Sequence, residues 1–270
     1  MHLSIKVDVF FISYNISMLK HKYTEVIEYW RTNGLKDKLT TFNILFTYNS
    51  LLIENIQISL DDVKEVFINN QNKNIEIVNH KLCYEYLLDK IVSKEPISEE
   101  LLKTIHKKLT KGTYDERRYV TNGERPGKYK KHDYVTGKNE VGSSVEIVEE
   151  DIRTLIEEVN GISKKDTESL LKVASYLHNV IEQIHPFADG NGRVGRTLMN
   201  YYLMIHNLPP VIIYEEDKNY YYDALEVFDE KEDLNPTIEF LKDEKEKTWG
   251  KSLDKASGVI KEKSNIKEYL

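Results

Sequence analysis

The stretch His185-Pro186-Phe187-Ala188-Asp189-Gly190-Asn191-Gly192-Arg193-Val194-Gly195-Arg196 is the densest run of chemistry-bearing residues in the chain. Gly190, Asn191 and Gly192 make a turn of little bulk directly before the helical pattern "GRTLMNYYLMIHNL". Exposed amides at a helix start, together with the helix dipole, form an anion-binding hollow. Asp189 beside it is a hard oxygen ligand, suited to Mg2+ (or Mn2+) that keeps most of its waters and bridges phosphates. Arg193 and Arg196 lie i, i+3 on the first helical turn, so both can face the hollow. His185, just ahead of the turn, carries an imidazole able to take a proton near neutral pH. Base, metal ligand, anion hole and two cations this close together suit phosphoryl or nucleotidyl transfer. Each part alone has a plainer reading: a bare turn, a solvated helix face, a cap at Asp189. His178 reads as a packing or capping histidine.

Outward from this run, most of the sequence has helical period. "MLKHKYTEVIEYWRTNG" puts Leu19, Tyr23, Val26, Ile27 and Trp30 on one face. "LTTFNILFTYNSLLIENI" is apolar on nearly all sides, as a helix buried against others is. "SLDDVKEVFINN" opens with a Ser59 cap, and "ISEELLKTIHKKL" opens at Ser98. "IVNHKLCYEYLLDKIV", "VEEDIRTLIEEVN", "DTESLLKVASYLHNVIEQI", "NYYYDALEVFDE" and "NPTIEFLKDEKEKTWGKSL" complete the helical set. The helix after the central run ends at Pro209-Pro210, which lack the amide hydrogen it needs. Residues 112–144 differ: Gly, Asn and Pro recur, and Tyr129, Tyr134 and Val135 precede a "TGKN" turn, which predicts a loop plus a β-hairpin.

The 270-residue chain has a formal net charge of −7, with 40% hydrophobic and 31% charged residues. That is apolar enough for a sizeable core and excludes collagen-like, mucin-like and wholly disordered classes. The acidic balance argues against a nucleic-acid partner. The single cysteine, Cys83, forbids an internal disulfide and a multi-cysteine zinc site, and it reads as a small core residue. No segment reaches the roughly 18 apolar residues of a membrane span. The opening "MHLSIKVDVFFISYNIS" lacks a cationic n-region and a cleavage site. A cytoplasmic protein with no membrane partner is therefore expected. Residues 1–17 read either as a short strand or as sequence upstream of a start at Met18.

The run "HPFADGNGRVGR" resembles the signature of the Fic (filamentation induced by cAMP) family, His-x-Phe-x-Asp/Glu-Gly-Asn-Gly-Arg-x-x-Arg, and matches every specified position. The likeness extends from roughly residue 40 to residue 245 and includes "LMNYYLMIHNLPPVII", "NYYYDAL" and a flap-like "GKYKKHDYV…VGSS". It implies a mainly α fold: a single Fic-type helical domain with one β-hairpin flap. The expected organisation is an extension and leading helix at 1–34, the domain at 35–250 and a tail at 251–270.

The resemblance also implies roles. His185 would be the general base that deprotonates a Ser, Thr or Tyr hydroxyl of a target protein. That hydroxyl would attack the α-phosphate of ATP, leaving AMP on the target. Asp189 would bind Mg2+. Asn191 and the amides of Gly190 and Gly192 would hold the α-phosphate, and Arg193 and Arg196 the β/γ-phosphates. Phe187 would anchor the loop. Tyr221 and Tyr222 would contact the adenine, and Val141, Gly142, Ser143 and Ser144 would dock the target segment. Kinase-like Doc relatives carry a lysine in this loop, where this chain has Gly-Asn-Gly, so nucleotide transfer is favoured over phosphate transfer.

A second motif, Ser50-Leu51-Leu52-Ile53-Glu54-Asn55, resembles the family's inhibitory Ser/Thr-x-x-x-Glu-Gly/Asn, placed N-terminally in a helix at about 40–55. It also reads as a helix end capped by Asn55. A carboxylate ending an apolar helix needs a partner, and Arg196 is the natural one. The protein is thus expected to be a self-inhibited adenylyltransferase, acting on itself and on a target. Some relatives use the same glutamate to remove AMP, and some gate inhibition through a homodimer. The competing expectation is a non-catalytic ATP/Mg-binding regulatory module, which would have no need of His185.

Overall fold

Polar caps and apolar stripes build the chain into helices, starting with the apolar segment that precedes Glu54. The computed structural model describes residues 39–71, 74–134 and 142–256, together with Glu25, Glu28, Trp30 and Arg31. Among these residues nine α-helices form: α1 (Leu39–Ile53), α2 (Leu60–Asn69), α3 (Ile75–Ser93), α4 (Glu99–Leu109), α5 (Val148–Gly161), α6 (Thr167–Ile184), α7 (Asn191–Ile205), α8 (Lys218–Lys231) and α9 (Asn235–Ala256). The side chains of Ser59, Asn74, Ser98 and Asp166 each accept a first-turn amide of α2, α3, α4 and α6. Each such cap satisfies a donor that a helix start leaves open, worth about 1 kcal/mol.

Helix α7 is buried along nearly its whole length and packs against α6, α4, α3 and α1. Its end is fixed by Asn200, whose side chain exchanges hydrogen bonds with the Val211 backbone at 2.7 and 2.8 Å. The main core runs from Trp30 and Phe42 through Leu102, Leu171, Phe187 and Leu198 to Trp249. Trp30 meets Trp249 edge-on at 5.1 Å, so the leading segment and α9 share this core. A satellite core of Ile44, Leu51, Val63, Val66 and Ile77 joins α1, α2 and α3. Burying each of these side chains contributes about 1.5–3 kcal/mol relative to leaving it exposed. Cys83 is buried and free, and no helix among the described residues is long and apolar enough to cross a membrane.

The expected β-hairpin is not found: the described residues contain no strand. Arg117–Thr121 forms a turn of π-helix instead. Glu124, buried, accepts the Lys131 amide at 3.0 and 3.2 Å and the Tyr134 hydroxyl at 2.9 Å. The Lys130 amide donates to the Pro186 carbonyl at 3.0 Å. Donors that a hairpin would pair across two strands are committed to a buried carboxylate and a loop carbonyl. The "TGKN" turn and Val141 lie in residues 135–141, outside the described residues. Helix α9 also continues to Ala256, past the expected start of the tail.

Candidate functional site

The site is the loop between α6 and α7. Helix α6 stops at His185, which is left-handed at φ 51°. Non-glycine residues adopt this region only where the surroundings over-determine it. Those surroundings are concrete here. The Ser143 amide donates to the Ile184 carbonyl at 3.0 Å. Gly142, at φ 67°, lies so close that a Cβ would meet the His185 Cβ at 2.7 Å. Phe187 is fully buried and stacks on the His106 ring at 3.7 Å and 3°. His106 Nδ1 accepts the Gly127 amide at 2.8 Å, which leaves the proton on Nε2 to donate to the Asp189 carbonyl at 3.0 Å. One imidazole thus ties the loop to the segment after α4, and burial pushes its pKa down to about 3.

Asn191 closes the loop from the other side. Its amide accepts from Phe187 N at 2.9 Å and donates to Phe187 O at 2.8 Å. The side chain is therefore committed to the loop, and an anion in the hollow would meet backbone amides and not the Asn191 amide group. Gly190, the residue before α7, has φ 80° and faces the Thr110 methyl, leaving no room for a side chain.

The motif's two arginines are both buried and both paired. Arg196 donates from Nε to Ser50 Oγ at 3.1 Å, and from Nη2 to Ser50 O at 3.0 Å and Glu54 Oε1 at 2.7 Å. A Cβ on Gly192 would strike that same Glu54 oxygen, so the carboxylate stands at the start of α7, against the anion hollow. Burial would raise the Glu54 carboxyl, but the charge and hydrogen bond of Arg196 outweigh it and hold it low. Asn55, at φ 59°, closes the end of α1 with its amide on Leu52 O at 2.8 Å, so cap and carboxylate occupy one turn. Arg193 donates from Nη1 to Glu76 Oε2 at 2.5 Å and makes a long contact from Nη2 to Asp189 Oδ2 at 3.5 Å. Burial raises the Glu76 carboxyl, an effect that Arg193 offsets only in part.

His185 sits half-buried at the mouth. Burial, then the Lys130 cation, push its pKa down to about 4, so the ring is neutral at physiological pH and free to accept a proton. Lys130 is itself buried. Asp189 keeps 37% of its side chain exposed, and its contact with Arg193 is long. A single exposed carboxylate beside an anion hollow fits a cation that holds its own waters and shares phosphate oxygens, as Mg2+ does. No cluster of three or more metal-ligating side chains occurs among the described residues.

The residues expected at the adenine and at the target segment differ in burial. Tyr221 is buried, stacked on His178 and hydrogen-bonded to its Nε2 at 2.9 Å, so its ring does not face a ligand. Helix α8 turns this tyrosine inward and leaves Tyr222 partly exposed, with its hydroxyl 3.5 Å from the Ile53 carbonyl. Ser143 donates to Asp151 Oδ2 at 2.5 Å, and the Ser144 carbonyl accepts the Ile147 and Val148 amides. Residues 142–144 are thus partly engaged in starting α5. Glu76, His106 and Lys130 were not foreseen as part of the site. In sequence Glu76 is an ordinary first-turn carboxylate, His106 a lone histidine on an apolar helix face, and Lys130 one of several lysines in a loop.

Residues 96–203 match the profile of the Fic/DOC family. Protein adenylyltransferase Fic of Aedes aegypti is 45% identical over 78 residues, a stretch that makes up 29% of this chain and 15% of that protein. The fold is similar to that of a Fic domain containing signaling protein from Bacteroides thetaiotaomicron, with TM-score 0.71 and 22% identity, covering 93% of this chain and 100% of that one. Fic-1 from C. elegans has TM-score 0.69 and 22% identity, covering 92% of this chain and 76% of the other.

Proposed function

From a Fic domain matched over residues 96–203, we propose that this protein moves AMP from ATP onto a Ser, Thr or Tyr hydroxyl of a target protein, with Glu54 holding it at rest. One observation carries the reading: the Glu54 carboxylate stands against Gly192 at the start of α7 while accepting from Arg196 at 2.7 Å. Carboxylate and phosphate are drawn to the same amides and guanidinium, so the glutamate takes a phosphate's place. We set the bounds of the functional domain at residues 35–250.

Once Glu54 withdraws, a hydroxyl presented beside His185 gives its proton to the neutral ring. The hydroxyl oxygen attacks the α-phosphorus, a new P–O bond forms, and the bond to the bridging oxygen breaks as pyrophosphate departs. The proton stays on His185 until solvent takes it. Amides at the start of α7 face the charge that develops on the α-phosphate, and Arg193 and Arg196 hold the departing phosphates. Asp189 would hold Mg2+, which when bound neutralises charge across the phosphates. The target segment would dock along residues 141–144, of which Gly142 and Ser143 lie against Ile184 and His185. The Glu54 carboxylate, beside an AMP-bearing side chain, would also orient a water for removal of AMP.

The test is to incubate the Glu54→Gly protein with Mg2+, lysate as target source, and ATP labelled at either the α- or the γ-phosphate. Label from the α-position should appear on protein and label from the γ-position should not. Transfer of the γ-label would mean phosphoryl transfer, and transfer of neither would remove the reading.

A further inference from the structure

Each motif arginine is held by a carboxylate, and the two carboxylates act on different edges of their partners. Glu54 reaches across to the start of α7. Glu76, in the first turn of α3, accepts from Arg193 Nη1 at 2.5 Å, with 16% of its own side chain and 4% of the arginine's exposed. The opposite terminal nitrogen of Arg193 is turned toward the loop. Nη2 lies 3.5 Å from Asp189 Oδ2 and 3.3 Å from the point where a Cβ would stand on Gly190. Arg193 Nε has no hydrogen-bond partner among the described residues. Glu76 therefore occupies one edge of the guanidinium and leaves another facing the proposed metal ligand and the anion hollow.

Glu76 is aimed by its surroundings. Its amide donates to the Asn74 cap at 2.8 Å. Ile77, the next residue, is fully buried in the satellite core. Asn79, one turn on, donates to the carbonyls of Leu109 and Lys111 at 3.1 and 2.9 Å. The first turn of α3 is thereby pinned beside Thr110, whose methyl faces Gly190.

We propose that Glu76 is a positioning residue that holds Arg193 aimed at the distal phosphates of the nucleotide, a role that rests on the adenylyltransferase reading for the identity of the ligand. A long arginine side chain loses conformational freedom when it binds an anion, and a fixed ionic partner removes that freedom in advance. Leaving the guanidinium buried without a counter-charge would be costly in the free protein, and Glu76 supplies that charge.

The experiment uses the Glu54→Gly protein, in which the nucleotide site is released, and compares it with Glu54→Gly/Glu76→Gln. With Mg2+ present, calorimetric titration should show ATP and ADP binding weakened about tenfold and AMP binding changed less than about twofold, since AMP lacks the phosphates Arg193 addresses. KM for ATP should rise with kcat little altered, and Glu76→Asp should recover part of the loss. In an Arg193→Ala background, Glu76→Gln should have no further effect on ATP affinity, because it acts through the arginine. Unchanged ATP affinity in the folded variant would overturn the proposal. So would tighter ATP binding, which would mark Glu76 as a second lock, or an equal loss for AMP, which would mark a general collapse of the loop. If Glu76→Gln does not fold, Glu76→Asp against its parent gives the same comparison, with a smaller loss for ATP than tenfold and none for AMP. If the Glu54→Gly parent transfers no AMP, the adenylyltransferase reading fails on its own, and the titrations still decide the role of Glu76.

Discussion

Replacing Glu54 by glycine removes the carboxylate that stands against Gly192 at the start of α7 and pairs with Arg196, and the structure sets the size of the effect expected on the proposed function. A hydrogen bond between charged groups contributes about 1.5–3 kcal/mol. The Arg196–Glu54 bond is 2.7 Å long, but 31% of the Glu54 side chain is exposed, so solvent screening moves it to the lower part of that range. About 1.5–2 kcal/mol corresponds to a rise of roughly 10- to 30-fold in productive ATP binding. The fold should tolerate the change, because Glu54 lies past the last residue of α1, in a turn closed by Asn55. Arg196 nevertheless loses the Glu54 counter-charge while 1% exposed, keeping its bonds to Ser50 and its contact with Tyr221. The free variant should therefore melt several degrees below the parent, and ATP with Mg2+ should raise its Tm more than the parent's. Self-labelling from α-labelled ATP and melting curves with and without nucleotide read the two halves of this expectation. Ser50→Ala, which removes one 3.1 Å bond and spares the Ser50 carbonyl, should fall between parent and Glu54→Gly. Equal labelling and equal nucleotide shifts in parent and Glu54→Gly would refute the reasoning.

His185→Ala should lower transfer by about 10²- to 10⁴-fold in the Glu54→Gly background, with ATP affinity within about twofold, because the phosphate contacts lie elsewhere; persistent transfer would remove it as the base. Asn191→Ala orphans the buried Phe187 amide and carbonyl and should cost about 2–4 kcal/mol, read from urea unfolding. An unchanged midpoint would mean that the loop closes without it. Acid should destabilise the fold through His80, His106 and His178, which burial holds neutral with pKa values near 3. Unfolded, these rings protonate near pH 6.5, so their contribution is complete above that pH. It falls toward pH 3 at up to about 1.4 kcal/mol per pH unit per ring. Urea midpoints at pH 7 and pH 5 check this, and identical values would contradict it.

How much of this was legible in the sequence depended on whether the physics was local. Helix starts at Ser59 and Ser98 announced themselves because a cap and its amide are three residues apart. The turn that opens α7 was legible for the same reason, since Gly190, Asn191 and the first turn of α7 are contiguous. The Glu54–Arg196 pair spans 142 residues and was reached because Ser50 to Asn55 resemble the family's inhibitory motif and a carboxylate at an apolar helix end needs a cation. Glu76 raised no such demand: at a helix start the dipole already accounts for it. The Arg193–Glu76 bond, across 117 residues, had no local signature. The hairpin misled for a related reason. Alternating apolar residues around a turn do mark strands, but here the amides of residues 130 and 131 find stronger local partners in Pro186 and Glu124.

Glu54 and Glu76 belong to one unit. Glu54 follows α1 and Glu76 opens α3, and the satellite core of Ile44, Leu51, Val63, Val66 and Ile77 locks those helices together through α2. If that unit swung away as a body, Glu54 would leave the hollow, but Glu76 would be pulled from Arg193 in the same motion. A swing would therefore exchange a blocked Arg196 for an unpositioned Arg193, and nucleotide binding would gain little. Release of the lock with Arg193 still aimed requires movement confined to the turn at residues 54 and 55, while α1 to α3 stay packed. The turn suits that role: Asn55 is exposed, its backbone is left-handed, and Glu54 lies past the last residue of α1. Hydrogen exchange on binding ATP should then change at residues 54–56 and leave the amides around Leu51, Val63 and Ile77 protected; loss of protection at those core positions would instead mark a swing of the whole unit.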